Sequence, residues 1–134
     1  KFLKVSGESS AMSAGAATNS KLTTHDSPLS TNLSFFIVSG HTDAMMLPKI
    51  NYNGKIIVFM ADLLPSAAHI PLPYVMAYDM FPLTTLNEKK IFLTEAEQNN
   101  YILFFEHDPS IECCSLQMTE KGIRVKETFK LSDL

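Results

Sequence analysis

Three short apolar runs constrain this chain more than anything else in it. Leu33–Ser39 reads LSFFIVS, Lys55–Ala61 reads KIIVFMA and Tyr101–Phe105 reads YILFF. Runs of this length, rich in β-branched and aromatic residues, predict buried strands. Each closes on a polar residue: His41 after FFIVSG, Asp62 after IIVFMA, His107 after ILFFE. Ends of neighbouring strands on one sheet edge converge, so the three side chains are expected to meet. His, Asp and His are ligand types that suit zinc and other first-row divalent metals. The plainer reading stands beside this one. A histidine past a strand is often an ordinary polar residue at a sheet edge, and an aspartate there is often a turn or cap residue.

The segments between the runs extend the pattern. Met45–Tyr52, Asn53-Gly54 and Lys55–Ala61 read as a hairpin, because Asn-Gly supplies the two positive-φ residues of a type I′ turn. Pro48 lacks an N–H and points to an edge or a bulge in the first arm. Asp62–Pro82 holds four prolines, has no strand or helix period and is apolar. A long ordered loop of this kind is more often functional than not. Thr85-Leu86-Asn87-Glu88 has the form of a capping box and predicts a helix running to about Asn99, with Leu86, Phe92, Leu93 and Ala96 toward the core. Tyr101–Glu106 reads as a further strand. Cys113–Thr119 and Ile123–Phe129 alternate and are joined by Glu120-Lys121-Gly122, a second hairpin. Strand, hairpin, loop, helix, strand and hairpin make an α/β arrangement with a mixed or antiparallel sheet. Ser6–Ser20 is rich in Ser, Ala, Gly and Thr and reads as loop or poorly ordered chain. No internal repeat and no second domain is visible.

Bulk properties exclude several classes. The 134 residues are 46% hydrophobic and 19% charged, which fits one small domain and not a disordered tail. The longest apolar runs, such as Ile56–Met60, fall far short of the roughly 20 residues of a membrane-spanning helix. The net charge of -3 argues against a nucleic-acid partner. Cys113 and Cys114 are adjacent, so in an extended segment they face opposite ways and do not readily pair. Reduced cysteines suit a cytoplasmic protein. A zinc site built on them lacks a second thiol pair. The chain starts at Lys1 with no signal peptide in view, which points to a piece of a longer protein or to a front end that was removed.

The polar residues at the strand ends carry a resemblance. Gly40-His41-Thr42 resembles the GHT motif of the metallo-β-lactamase superfamily. Ala61-Asp62-Leu63 resembles its downstream (G/A)D motif, and Glu106-His107-Asp108 its last metal-histidine motif. The phrases ADLLPSAAHIPLPYVMAYD and LFFEHDP are similar to a bacterial subgroup of these hydrolases. The resemblance spans residues 32–130, and each motif follows a strand in the family's order. It implies half of a four-layer αββα sandwich, with helices on one face of a mixed or antiparallel sheet. Residues 31–134 would then be the C-terminal part of such a domain, and 1–30 a poorly defined N-terminal segment.

The resemblance also implies a chemistry. His41 would be a ligand of one metal, His107 a ligand of the other, and Asp62 the catalytic bridge. The metals implied are two zinc ions, with manganese or iron as alternatives. A bridging hydroxide would attack a small-molecule ester, lactone, thioester, amide or phosphoester. The family's HxHxDH motif, which supplies most of the ligands, occurs nowhere in these 134 residues. His25-Asp26 is not a version of it. This chain alone is therefore expected to be inactive and to bind metal weakly. It would need the missing N-terminal half, or self-association, to cover the inner face of its sheet. In the long loop, His69, Tyr74 and Tyr78 are expected to line the substrate pocket, with Asp79 beside them or supporting the ligands. Thr42 and Asp43 are candidates to orient His41. Ser66 lacks the G-x-S-x-G turn of a nucleophile. Asp108 before Pro109 reads as a turn starter, and the methionines as core packing. Two other readings remain: a non-catalytic interaction module that keeps the half-fold, or a small α/β domain with chance motifs.

Overall fold

The computed structural model describes residues 21–26 and 32–134. The reading of Ser6–Ser20 as loop lies outside them. Seven strands form one sheet: β1 (Thr23–Asp26), β2 (Leu33–Val38), β3 (Met45–Tyr52), β4 (Lys55–Phe59), β5 (Ile102–Phe104), β6 (Cys113–Thr119) and β7 (Gly122–Phe129). Their order across the sheet is their order in the chain. Every neighbouring pair is antiparallel except β4 and β5, which are parallel. A parallel pair needs a long crossover. Here it consists of the proline-rich loop and one helix, α1 (Pro82–Gln98).

This topology places the site. β2 is antiparallel to β3 and β3 to β4, so β2, β4 and β5 all run the same way. Their C-terminal ends lie on one edge of the sheet, and the chain leaves those ends at His41, Asp62 and His107.

Four local expectations need correction. Thr23–Asp26, in the N-terminal segment given no element, pairs with β2 as β1. Pro48 is on neither an edge strand nor a bulge, since β3 has β2 on one side and β4 on the other. It is tolerated because the β4 ladder covers only Lys49–Tyr52. The helix starts at Pro82, three residues before the expected capping box. A proline at the start of a helix has its φ preset and no N–H to satisfy. The Glu88 carboxylate does not cap its own helix; it accepts the Ser39 and Gly40 N–H groups at 2.7 and 3.0 Å. The Asn53-Gly54 turn is as expected, with φ of 51° and 78°.

The two sheet faces differ. On one, Phe36, Val38, Leu47, Val58 and Leu103 pack against Phe92, Leu93 and Ala96 of α1. Phe36 and Phe92 meet edge-on, with centroids 5.6 Å apart at 84°. Full burial of each such side chain contributes about 1.5–3 kcal/mol. The other face carries a smaller cluster of Ile57, Ile102 and Cys113, joined by Phe104 and Phe129. Around it Met46 and Ile50 are exposed, and among the described residues no helix covers them. The adjacent cysteines divide between the faces, Cys114 in the larger cluster and Cys113 in the smaller. Burial raises their thiols to about 11 for Cys113 and about 12 for Cys114, so both are protonated at neutral pH and unsuited to bind metal. No helix among the described residues is long and apolar enough to cross a membrane.

Candidate metal centre

His41, Asp62 and His107 come together at the shared edge. His41 Nε2 lies 3.5 Å from Asp62 Oδ2, and His107 Nε2 lies 3.4 Å from Asp62 Oδ1. The carboxylate thus offers one oxygen to each imidazole. Both separations exceed the 2.7–3.2 Å of a good hydrogen bond. A nitrogen and an oxygen bound to one tetrahedral zinc ion lie about 3.4 Å apart, given metal–ligand bonds of about 2.1 Å. The donor set and spacing therefore fit one cation on each side of Asp62. Among the described residues no three His, Cys, Asp or Glu side chains converge on a single point. The arrangement is one carboxylate flanked by two imidazoles.

Asp79 fixes the His41 ring. Its Oδ1 lies 2.9 Å from His41 Nδ1, and its side chain is fully buried. An Nδ1–H here donates to the Asp79 carboxylate, which turns Nε2 toward Asp62. A carboxylate holding the far nitrogen of a histidine is also how metal-binding imidazoles are commonly oriented. Asp79 Oδ2 is buried with no hydrogen-bond partner among the described residues. The orienting role expected of Thr42 and Asp43 falls to Asp79 instead; both of those residues are exposed.

Helix α1 builds the ground under His41. A Cβ on Gly40 would overlap the backbone nitrogen and Oγ1 of Thr85, so only glycine lets the helix sit against the end of β2. One turn later Glu88 takes the Ser39 and Gly40 N–H groups. Gly40 and His41 carbonyls accept from Phe81 and Met80 at 2.8 and 3.2 Å. Lys89 is fully buried and donates to the carbonyls of Pro71, Leu72 and Tyr74 at 2.8, 3.1 and 2.7 Å. That grip holds the loop that carries Asp79. Reading the sequence missed Glu88 and Lys89. A signal for Lys89 was present: it lies three, four and seven residues before Phe92, Leu93 and Ala96, on the apolar stripe of the helix.

The rest of the site is less tightly held. His107 is 53% exposed. Its N–H donates to the Pro65 carbonyl at 3.3 Å. Asp108 does start a turn, accepting the Ser110 and Ile111 N–H groups, and it also accepts that of Ala67. Burial opposes its ionisation, yet these three donors outweigh it and hold the carboxyl below its usual range. Ala61, just before Asp62, has φ of 42°, a conformation alanine rarely adopts. Tyr78 is exposed, and its ring meets that of His41 edge-on at 6.2 Å. The Tyr74 ring is exposed, and its backbone is engaged instead: its carbonyl accepts from Lys89 and its N–H donates to the Pro71 carbonyl at 3.0 Å. His69 pairs with Ser66 Oγ at 2.9 Å and not with the cluster. Burial lowers its pKa, Lys89 adds to this, and Asp79 and the Ser66 backbone oppose it.

No family model and no curated protein matches the sequence. Solved structures do resemble it. A probable metal-dependent hydrolase from Staphylococcus aureus is 24% identical with a TM-score of 0.64, over 78% of this chain and 39% of that one. AidC, a dizinc quorum-quenching lactonase in complex with its product N-hexnoyl-L-homoserine, is 20% identical with a TM-score of 0.67, over 78% and 36%. AbOPH, a hydrolase in the beta-lactamase superfamily, is 19% identical with a TM-score of 0.60, over 72% and 35%. The chain spans at most 39% of the length of each. At these identities the likeness speaks to fold: the mixed seven-stranded sheet with its crossover helix is part of a metallo-β-lactamase fold.

Proposed function

We propose that this chain contributes His41, Asp62 and His107 to the two-metal centre of a hydrolase acting on a small-molecule ester, lactone, thioester, amide or phosphoester. The observation that carries the reading is the Asp62 carboxylate, with one oxygen toward each histidine at 3.4 and 3.5 Å. Zinc suits these donors best, and manganese or iron would serve. When bound, the two ions would acidify a water between them and stabilise the charge that develops on the substrate. The chain's own part is positional. Asp79 keeps His41 Nε2 turned inward, and Tyr78 stands against the same ring. The metal-dependent hydrolases of the same fold, one of them dizinc with a small-molecule product, support this reading. The remaining ligands would come from outside these 134 residues, in a preceding segment or in another copy.

Zinc titration of the chain, followed through its histidine ring NMR signals, tests the proposal. The expected result is weak binding that moves His41 and His107 together and leaves His25 and His69 in place, with the response lost in Asp62→Asn. Submicromolar affinity would contradict the division of ligands between two partial sites. Rings of His41 and His107 that ignore zinc would remove the hydrolase reading. A second reading, a non-catalytic interaction module, is favoured by exposed Met46 and Ile50 on the uncovered sheet face. It would gain from a chain that self-associates in sedimentation yet ignores zinc.

A further inference from the structure

A second concave site lies away from the histidines. A cavity of about 380 Å³ opens between α1, the proline-rich loop and the turn joining β6 to β7. Its floor is apolar, formed by Ile70, Leu72, Leu93 and Ile123, with Met118 at the side. Ile70 and Leu93 are nearly inaccessible, so the floor is fixed by the core itself. Three cations stand around it, Lys90, Lys121 and Arg124, and among the described residues no acidic one lines it. This is a local concentration of positive charge on a chain whose net charge is -3. The Arg124 guanidinium is folded back onto the Ile123 carbonyl at 2.7 Å, which holds it near the mouth with further donors to spare.

An apolar floor within the size range of small-molecule sites, edged by cations alone, selects an amphipathic anion. We propose that this cavity binds a medium-chain aliphatic carboxylate. The tail lies over Ile70, Leu93 and Ile123, and the carboxylate meets Lys121 and Arg124, with Lys90 opposite. A neutral chain of equal length would fill the floor and forgo the charge-assisted hydrogen bonds. A polar anion without a tail would leave the floor wet. The cavity shares no residue with His41, Asp62, His107 or Asp79 and depends on no property of the metal centre.

Titration of the chain with sodium octanoate, read by methyl NMR, tests this, with octanol as the neutral comparison. Octanoate is expected to move the Ile70, Leu93, Met118 and Ile123 methyls in a saturable way and to bind about tenfold more tightly than octanol. The Lys121→Glu, Arg124→Glu double variant should lose about that factor for octanoate and none for octanol. Lys90→Glu, on a different element, should act in the same direction, so a fault confined to the hairpin cannot imitate the result. Floor methyls that do not move in the millimolar range would overturn the proposal. So would equal affinity for octanol, or shifts confined to Ile50 and Ile57 on the uncovered sheet face.

Discussion

The two histidines of the edge cluster reach the same carboxylate by different means. His41 is 14% exposed and His107 53%. His41 has its far nitrogen held by a buried carboxylate, its carbonyl bonded by Met80, the Ser39-Gly40 backbone before it clamped by Glu88 and Phe81, and a helix seated under Gly40. His107 has a single backbone bond to Pro65 and a turn organised by Asp108. One histidine is held on several sides and the other is open. The chain places its rigidity around the buried histidine and not around the one facing solvent.

The sharpest way to break the contrast is Gly40→Ala. The added methyl overlaps Thr85 backbone, so helix and strand must separate. The expected loss is about 3 kcal/mol or more in denaturant unfolding, with the His41 ring signals broadened. Lys89→Met comes next. It keeps the buried stem and removes the donor to three carbonyls, for a loss of about 2–3 kcal/mol. This variant also carries a pH test. Burial lowers the Lys89 amine to about 8 against the upward pull of Asp79. The unfolded amine titrates near its ordinary value, so between about pH 8 and pH 10 the unfolded chain binds more protons and stability from this group rises with pH. Below about pH 8 both states are protonated and the slope vanishes. The stability gap between wild type and Lys89→Met should therefore widen above pH 8.

Asp79→Asn sharpens the comparison without unfolding anything. It replaces a buried carboxylate that has one unpartnered oxygen, so unfolding stability should hold or increase. Zinc response at His41 should weaken about tenfold, since outer partners of metal-binding histidines carry effects of that size. The His107 response should change less. The smallest effect is expected at the open half. Asp108→Ala removes an acceptor for three backbone N–H groups at a surface turn and should cost about 1 kcal/mol, chiefly as increased motion around His107 in relaxation measurements. A loss there equal to that of Gly40→Ala would erase the asymmetry.

What could be read from the residues alone follows the same division. The strands at Leu33, Met45, Lys55 and Cys113 announce themselves through local composition, and Asn53-Gly54 through the φ values its turn demands. The meeting of positions 41, 62 and 107 followed from each standing at a strand end. Contacts made across long stretches of sequence were not visible. Glu88 reads as a capping residue because its spacing from Thr85 is right, yet its carboxylate is used 48 and 49 residues away. Asp79 has no local pattern marking it as the partner of His41, 38 residues before it. Tyr74 and His69 were grouped with the pocket for lying in the loop, but a proline-rich loop sends its rings outward as readily as inward. β1 was lost because four residues of Thr, His and Asp carry almost no strand signal until β2 is there to pair with them.

Strand order that copies chain order leaves most neighbours joined by short links, which close quickly. The lone exception, the junction of β4 with β5, waits on closure of more than forty intervening residues. Folding should therefore produce two meanders early and join them late. Asp62 and His107 belong to different meanders, so their approach would mark the final stage of assembly. A label pair at those two positions would report that last docking event, while a pair at 41 and 62 would register the earlier one.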